Sequence, residues 1–283
     1  MRKVMITSAL TGGFHGKEAN PNLPEQPNEI AQAAFDCYKA GACIVHIHAR
    51  DKEGKPTPDV EIYRNIKKRV REKCDINLSF TTGGGPNLTP EQRIQSVFAD
   101  PEIGSLNMGT MVRTRWGEGT LFLNTRSQIE QWAKILRDLG VKLELEVYSH
   151  SMFIDVENLI QKDLIEPHYI INLVLGMTHQ GALPATDKNL VSLIEYLPPN
   201  TIFNVTVVGR MQPLLTTLGI LLGGNPRVGF EDNVYYHKGV LAESNSQLVS
   251  RTVRIIKELD LEIATPEEAR VQLGLGSLKG VSA

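Results

Sequence analysis

Two histidines in the segment IVHIHARD are the clearest candidates for chemistry. His46 and His48 are two residues apart in an apolar, β-branched run that is typical of a strand. Alternate residues of a strand point to the same side, so both imidazoles face one point. A catalytic zinc ion needs about three protein ligands and an open position, which predicts one further ligand from another strand. The alternative is a pair of core histidines, which are costly to bury without a metal ion or hydrogen-bond partners.

The best third ligand is Glu231 in the segment RVGFEDN, at the end of the last strand-like run before a polar loop. If eight strands close into a barrel, the second and the eighth flank the first, and even-numbered strands present inward residues at one level. Two histidines and a glutamate occur in hydrolytic and carbonyl-polarising zinc sites, although other divalent ions accept the same set. Capping the following helix is the alternative role of Glu231.

A third candidate is the glycine-rich segment FTTGGG at residues 80–85. Glycines let backbone N–H groups approach an anion closely, and threonine hydroxyls add donors. Beside a metal site this segment would form a cradle for a substrate carboxylate, made of Thr81, Thr82, Gly83 and Gly84. On its own, the segment fits a flexible loop equally well.

Polar residues also end other strand-like runs, namely Ser105, Asn107, Glu144, Glu146 and Arg210. Ser105 and Asn107 are candidate substrate contacts. Glu144 and Glu146 share a face, and carboxylates inside a barrel bind cations or act as acids and bases unless they form buried ion pairs. Of the two, we select Glu146 as a candidate catalytic residue.

The loop after the fourth run carries Arg113 and Arg115 beside Trp116. This combination suits an anionic or nucleotide-bearing ligand. Solvated surface arginines are the alternative.

Charge and cysteine usage exclude several classes of protein. The 283 residues have a formal net charge of -2, so there is no broad basic field for nucleic acid or an anionic membrane surface. No apolar run approaches the roughly 18–20 residues that span a bilayer, and the N-terminal run is too short for a signal peptide. Three cysteines without a CxxC spacing argue against a disulfide framework. We therefore expect a soluble, cytoplasmic protein.

Apolar strand-like runs alternate with stretches of helical period along the whole chain, which predicts βα units and a parallel sheet. Eight units indicate one (β/α)8 barrel over residues 1–283, with a final capping helix at 265–275; an open doubly wound sheet is the alternative. The predicted strands are 4–9, 43–48, 76–80, 104–107, 142–147, 169–173, 202–207 and 227–231. The predicted helices begin near Pro27, Val60, Pro90, Arg126, Ile154, Asp187, Pro213 and Ser244.

The order of several short motifs resembles the β-keto acid cleavage enzyme family almost from end to end. These motifs are ITSALTGG, NPNLPEQP, AGACIVHIHARD, TTGGG, SLNMGT, VLGM, GRMQ, GFEDN, HKGVLAESNSQLV and IATPEEAR. The resemblance implies a zinc-bound barrel, expected as a homotetramer, that converts a β-keto acid and acetyl-CoA into acetoacetate and a new acyl-CoA. It also implies that His46, His48 and Glu231 bind the zinc ion.

In the reaction that the resemblance implies, zinc polarises the ketone and a base removes a proton from the neighbouring carbon. Asp232, paired with Arg227, matches that base, while Thr81 and the glycines hold the carboxylate. Arg227 lies four residues before Glu231, which in a regular strand places it about 13 Å deeper. A bend at Gly229 would remove this conflict. Thr81 stands where the motif is expected to have serine.

Phe14, in TGGFHGK, stands where family members acting on amino-bearing keto acids carry an acidic residue. An aromatic ring is a weaker partner for an ammonium group than a carboxylate, so we expect a neutral or apolar substrate tail. His179, in MTHQGALPAT, either contacts the substrate or faces solvent. Two other functions fit the same residues: a zinc hydrolase or aldolase-type lyase without acetyl-CoA, and a non-catalytic metal or acyl-CoA binding protein.

Overall fold

Eight parallel strands form a closed barrel in the computed structural model, which describes residues 2–85, 87–114, 119–276 and 278. In chain order the barrel strands are β1 (Thr7–Thr11), β2 (Ile44–Ile47), β3 (Asn77–Phe80), β4 (Ile103–Asn107), β5 (Lys142–Val147), β6 (Tyr169–Leu175), β7 (Thr201–Val207) and β8 (Asn225–Val228). Each strand pairs in parallel with its neighbours in sequence, and β8 closes the barrel on β1. The predicted (β/α)8 barrel is confirmed.

Helices follow the strands and cover the outside of the barrel. They are α1 (Pro27–Ala40), α2 (Val60–Arg71), α3 (Pro90–Arg93), α4 (Arg126–Asp138), α5 (Phe153–Gln161), α6 (Asp187–Glu195), α7 (Gln212–Leu221), α8 (Asn245–Glu258) and α9 (Pro266–Leu273). Side-chain caps mark their starts: Thr125 accepts from the Gln128 N–H, and Ser244 accepts from the Gln247 N–H. Among the described residues, no helix is long and apolar enough to cross a membrane.

Two predicted strands have the wrong limits. The first barrel strand begins at Thr7, because Lys3–Val4 pairs instead with Glu262–Ile263 in a separate two-stranded sheet. The last barrel strand ends at Val228, because the chain turns at the following glycine. Glu231 therefore lies beyond the strand, above the barrel.

The capping helix α9 closes the end of the barrel where the strands begin. Ala269 and Leu273 are buried in one cluster with Ile44 and Ile103 from the barrel interior. Asn77 donates its side-chain amide to the Pro266 carbonyl at 2.9 Å, which ties β3 to this helix. With this end closed, ligands reach the interior from the opposite end, where the strands finish.

Candidate active site

Three side chains with metal-binding atoms meet where the strands end. His46 lies in β2, His48 follows it, and one potential ligand atom from each of His46, His48 and Glu231 lies within 4.8 Å of the others. Glu231 Oε1 is 3.4 Å from His48 Nε2, and Glu231 Oε2 is 3.7 Å from His46 Nε2. When ligand atoms each lie about 2.0–2.2 Å from a zinc ion, the distances between the ligand atoms are similar to the two distances measured here.

Unsatisfied atoms in this cluster fit a bound cation. Glu231 Oε2 and His48 Nδ1 are buried and make no hydrogen bond to the described residues. His46 Nδ1 lies 3.0 Å from Ser79 Oγ, which leaves Nε2 directed at the carboxylate. Burial and the nearby Arg227 charge hold the pKa of His46 well below its ordinary value, so the imidazole is neutral, as a ligand must be.

A turn at Gly229 brings Glu231 and Asp232 to this point. Gly229 has φ 140°, and the N–H groups of Asp232 and Asn233 both donate to its carbonyl, at 3.1 and 3.0 Å. The Glu231 N–H donates to the Ala9 carbonyl at 3.2 Å, which anchors the turn on β1. Because the chain folds back here, Arg227 is beside Glu231 and not the 13 Å away that a regular strand would require.

We predict that Gly229→Ala destabilises the protein by at least about 3 kcal/mol, because a β-carbon combines backbone strain with overpacking. A Cβ at Gly229 would lie 2.2 Å from the Ala9 carbonyl oxygen. Gly209→Ala is the matched control, since Gly209 also has a positive φ of 89° but has nothing within 4 Å of an added Cβ. The control should cost about 1–2 kcal/mol from φ alone. Urea unfolding measures both, and equal losses would mean that the close approach to β1 is unimportant.

Arg227 is the centre of a buried charge cluster. Its Nε and Nη2 donate to the two carboxylate oxygens of Asp232 at 3.0 and 3.1 Å. Nη2 is also 2.6 Å from Glu231 Oε1, and Nη1 is 3.6 Å from Glu146 Oε1. Nη1 is buried and makes no hydrogen bond to the described residues. One guanidinium thus holds a metal-ligand candidate and the candidate base in fixed relative positions.

Burial changes the proton affinity of the acids around Arg227. It raises the pKa of Glu146 to about 8 and that of Asp232 to about 7, in both cases against the opposing effect of Arg227. For Glu231, burial acts in the same direction, but Arg227 and the two histidines outweigh it and lower the pKa. The site therefore contains acids with separated pKa values, as acid–base chemistry near neutral pH requires.

The glycine-rich segment is only partly in the cavity above this cluster. Thr81, Gly83 and Gly84 line the cavity, as does Asn107. The Gly83 N–H is already bonded to Thr81 Oγ1 at 2.8 Å, so it is not free to bind a carboxylate in this arrangement.

Two other predicted contacts pair with each other instead. Thr82 Oγ1 donates to the Ser105 carbonyl at 2.6 Å, and neither residue is among those that line the cavity.

Glu144 lies deeper in the barrel, where it accepts from Asn204 Nδ2 at 2.8 Å. Arg210 is exposed and outside the cavity.

The outer part of the cavity is aromatic and basic. Phe14, Arg113 and Phe122 line it together with Met177 and His179. Arg113 is buried and donates from Nε to Gln180 Oε1 at 3.0 Å. The predicted ligand contact at Arg115 lies outside the described residues, as does Trp116.

Comparison with models of known protein families shows the family of this chain. The model of the β-keto acid cleavage enzyme family matches residues 3–275. The chain belongs to the β-keto acid cleavage enzyme family. The resemblance read from its motifs is confirmed.

Relatives within the β-keto acid cleavage enzyme family carry several substrate names. A 3-keto-5-aminohexanoate cleavage enzyme from Fusobacterium nucleatum subsp. nucleatum is 42% identical over 277 residues, which are 97% of this chain and 99% of the relative. A 3,5-dioxohexanoate:acetyl-CoA acetone transferase from Paraburkholderia graminis is 32% identical, covering 97% of this chain and 96% of the relative. The relatives are thus β-keto acid cleavage enzymes and transferases whose names include acetyl-CoA.

The solved structure of apo ObcA has the same fold. Its TM-score is 0.75 at 20% identity, with 90% of this chain and 66% of ObcA covered. This likeness concerns the barrel alone.

Three residues that take part in this site were not predicted from the sequence. Ser79 contacts His46, Tyr148 donates to Glu146 Oε2 at 3.2 Å, and Gln180 accepts from Arg113. Ser79 could have been found, because His46 and Ser79 pair in the register of β2 and β3. Gln180 could not, because it reaches Arg113 from a loop 67 residues away.

Proposed function

We propose that this protein is a zinc-dependent enzyme that converts a β-keto acid and acetyl-CoA into acetoacetate and an acyl-CoA. The observation that carries the proposal is the buried cluster in which Arg227 holds Asp232 and Glu231 beside His46 and His48. His46, His48 and Glu231 would hold the metal ion. When bound, the ion supplies Lewis-acid stabilisation of negative charge on the ketone oxygen.

Asp232 is the proposed base that removes a proton from the carbon between ketone and carboxylate. A pKa of about 7 suits a base at neutral pH, and the two hydrogen bonds from Arg227 fix its direction. The deprotonated carbon attacks the acetyl carbonyl of acetyl-CoA and the CoA thiolate leaves. The thiolate then adds to the original ketone carbon, whose bond to the deprotonated carbon breaks. Return of the proton yields acetoacetate, and the remaining fragment leaves as acyl-CoA.

Other residues have proposed roles in holding the reactants. Thr81 and Gly84 would contact the substrate carboxylate, with Asn107 beside them, because all three line the cavity and Asn107 Nδ2 makes no hydrogen bond to the described residues. Gly83 lines the same wall, and the hydrogen bond from Thr82 to the Ser105 carbonyl would support it. Glu146, protonated at neutral pH by its raised pKa of about 8, is placed to exchange a proton next to Arg227.

The reaction predicts that acetoacetate release depends on acetyl-CoA. Zinc-loaded protein would be incubated with 3-oxohexanoate, 5-amino-3-oxohexanoate or 3-oxoadipate, with and without acetyl-CoA. We expect release only with acetyl-CoA, and kcat/KM about tenfold or more higher for the neutral acid than for the cationic one, because an ammonium group would be buried without a carboxylate partner. Phe14 and the positive charge of Arg113, which both line the cavity, argue against a cationic tail. Cleavage without acetyl-CoA would instead favour the hydrolase or lyase function.

A second prediction concerns the support of His46. Ser79→Ala should weaken zinc binding about 10–100-fold, because the hydroxyl that orients the imidazole is lost. Ser8→Ala is the matched control, since Ser8 is also a buried barrel serine but contacts Cys37 Sγ at 3.3 Å. Competition with a chromogenic chelator measures both affinities. Equal affinities in the two variants would remove Ser79 from the zinc site.

We also propose a cytoplasmic homotetramer, as expected for this family. Light scattering coupled to size-exclusion chromatography tests the tetramer, and a monomeric mass at micromolar concentration would contradict it.

A further inference from the structure

Arg113 brings a positive charge into the substrate cavity. It lies in the strand Met111–Arg113, which pairs with Thr120–Phe122 in a hairpin after β4. Only 5% of the residue is exposed, yet it lines the same cavity as His48 and Glu231. The side chain therefore faces bound substrate more than bulk solvent.

Two aromatic rings and one amide hold this guanidinium. Its central carbon is 3.7 Å from the ring centroid of Phe122 and 5.1 Å from that of Phe14. Gln180 Oε1 accepts from Nε at 3.0 Å. Cation–π contacts stabilise the charge and leave the planar group with a defined direction. Burial lowers the pKa of Arg113 only to about 10, so the group stays charged at neutral pH.

Among the described residues, the hydrogen bond from Nε to Gln180 is the one that the Arg113 side chain makes, and no acidic side chain forms an ion pair with it. A second guanidinium, that of Arg93, lies 4.1 Å from the same Phe122 ring. Arg93 is outside the cavity lining, but its charge adds to that of Arg113, so this end of the cavity repels a cation and attracts the negative end of a polar group. Because Arg113 lines the cavity and its terminal nitrogens make no hydrogen bond to the described residues, they can donate to an acceptor on the substrate.

We propose that Arg113 donates hydrogen bonds to an oxygen atom at the distal end of the substrate tail. The preferred β-keto acid then has an uncharged tail that carries a hydroxyl or carbonyl oxygen. A neutral oxygen suffices because the two rings already stabilise the charge, whereas a distal carboxylate adds the desolvation of a second charge. This inference rests on the proposed function, whose substrate it narrows.

The test uses three acids with the same six-carbon chain: 3-oxohexanoate, 5-hydroxy-3-oxohexanoate and 3-oxoadipate. For each acid, calorimetry without acetyl-CoA gives the dissociation constant, and acetoacetate formation with acetyl-CoA gives kcat/KM. The proteins are the zinc-loaded wild type, Arg113→Met, which keeps a long apolar side chain between the rings, and Arg113→Lys, which keeps the charge. Zinc content and thermal unfolding confirm that each variant is folded and loaded.

In the wild type we expect the hydroxy acid to exceed 3-oxohexanoate about tenfold in affinity and in kcat/KM, as for one hydrogen bond to a charged donor. Arg113→Met should reduce that ratio to about 1, and Arg113→Lys should retain part of it. A wild-type ratio near 1, an unchanged ratio in Arg113→Met, or a preference for 3-oxoadipate would each overturn the proposal. If no acid gives acetoacetate, the proposed reaction fails, while the calorimetric ratios still decide the role of Arg113.

Discussion

Asp232→Asn should retain zinc but lower kcat by about 10²–10⁴-fold, the range that a positioned general base contributes. The amide has nearly the same shape as the carboxylate but cannot accept the proton from the substrate carbon. One oxygen remains to accept from Arg227, which now donates to both oxygens at 3.0 and 3.1 Å. The substrate pocket should therefore keep its form, and KM should change much less than kcat.

Steady-state kinetics with acetyl-CoA and elemental analysis of the same preparation measure these two effects. Asp187→Asn, at the start of α6 on the surface, is the control for an aspartate far from the cavity. If Asp232→Asn loses zinc, its lower turnover would be due to a damaged metal site. Normal turnover would show that Asp232 is not the base.

His46→Ala and Glu231→Gln should each reduce bound zinc from about one ion per chain to a small fraction, because a catalytic zinc site has only about three protein ligands. Acetoacetate formation should fall with the metal content. Glu231→Gln has a further effect, because it removes the charge that faces Arg227 Nη2 at 2.6 Å. That buried guanidinium would retain Asp232, so we expect the variant to fold.

His237→Ala, an exposed histidine in the hairpin after β8, is the control for loss of an imidazole. Elemental analysis after dialysis against a weak chelator gives the stoichiometry. Full zinc retention in either site variant would falsify the ligand assignment, whatever the activity. Loss of activity with zinc retained would instead place the residue in substrate binding.

Several properties followed from the sequence because they depend on local order. The alternation of apolar runs with helical stretches was sufficient for the eight-stranded barrel, since each βα unit must bury its own apolar face against its neighbours. The period of two along a strand placed His46 and His48 on one side. Helix starts were predictable at Thr125 and Ser244, because capping is satisfied within three residues of chain.

Strand limits were less predictable, because a strand ends where its hydrogen-bonding partner ends. Val4 was predicted to begin the first barrel strand, but Lys3–Val4 pairs with Glu262–Ile263. The last strand ends before Glu231, because the turn at Gly229 moves the chain onto β1.

Only the tertiary structure determined which polar side chains share the site. Distance along the chain placed Arg227 too deep, whereas the turn at Gly229 puts it in contact with Asp232 and Glu231. Thr82 and Ser105 had the right types and positions for substrate contacts, yet Thr82, which follows β3, donates its hydroxyl to the Ser105 carbonyl in β4. Sequence order thus determined the barrel and its two histidines, because those depend on local period. The turn at Gly229 and the contacts it creates determined the charge cluster, because a buried side chain takes whichever partner the folded chain brings within hydrogen-bond distance.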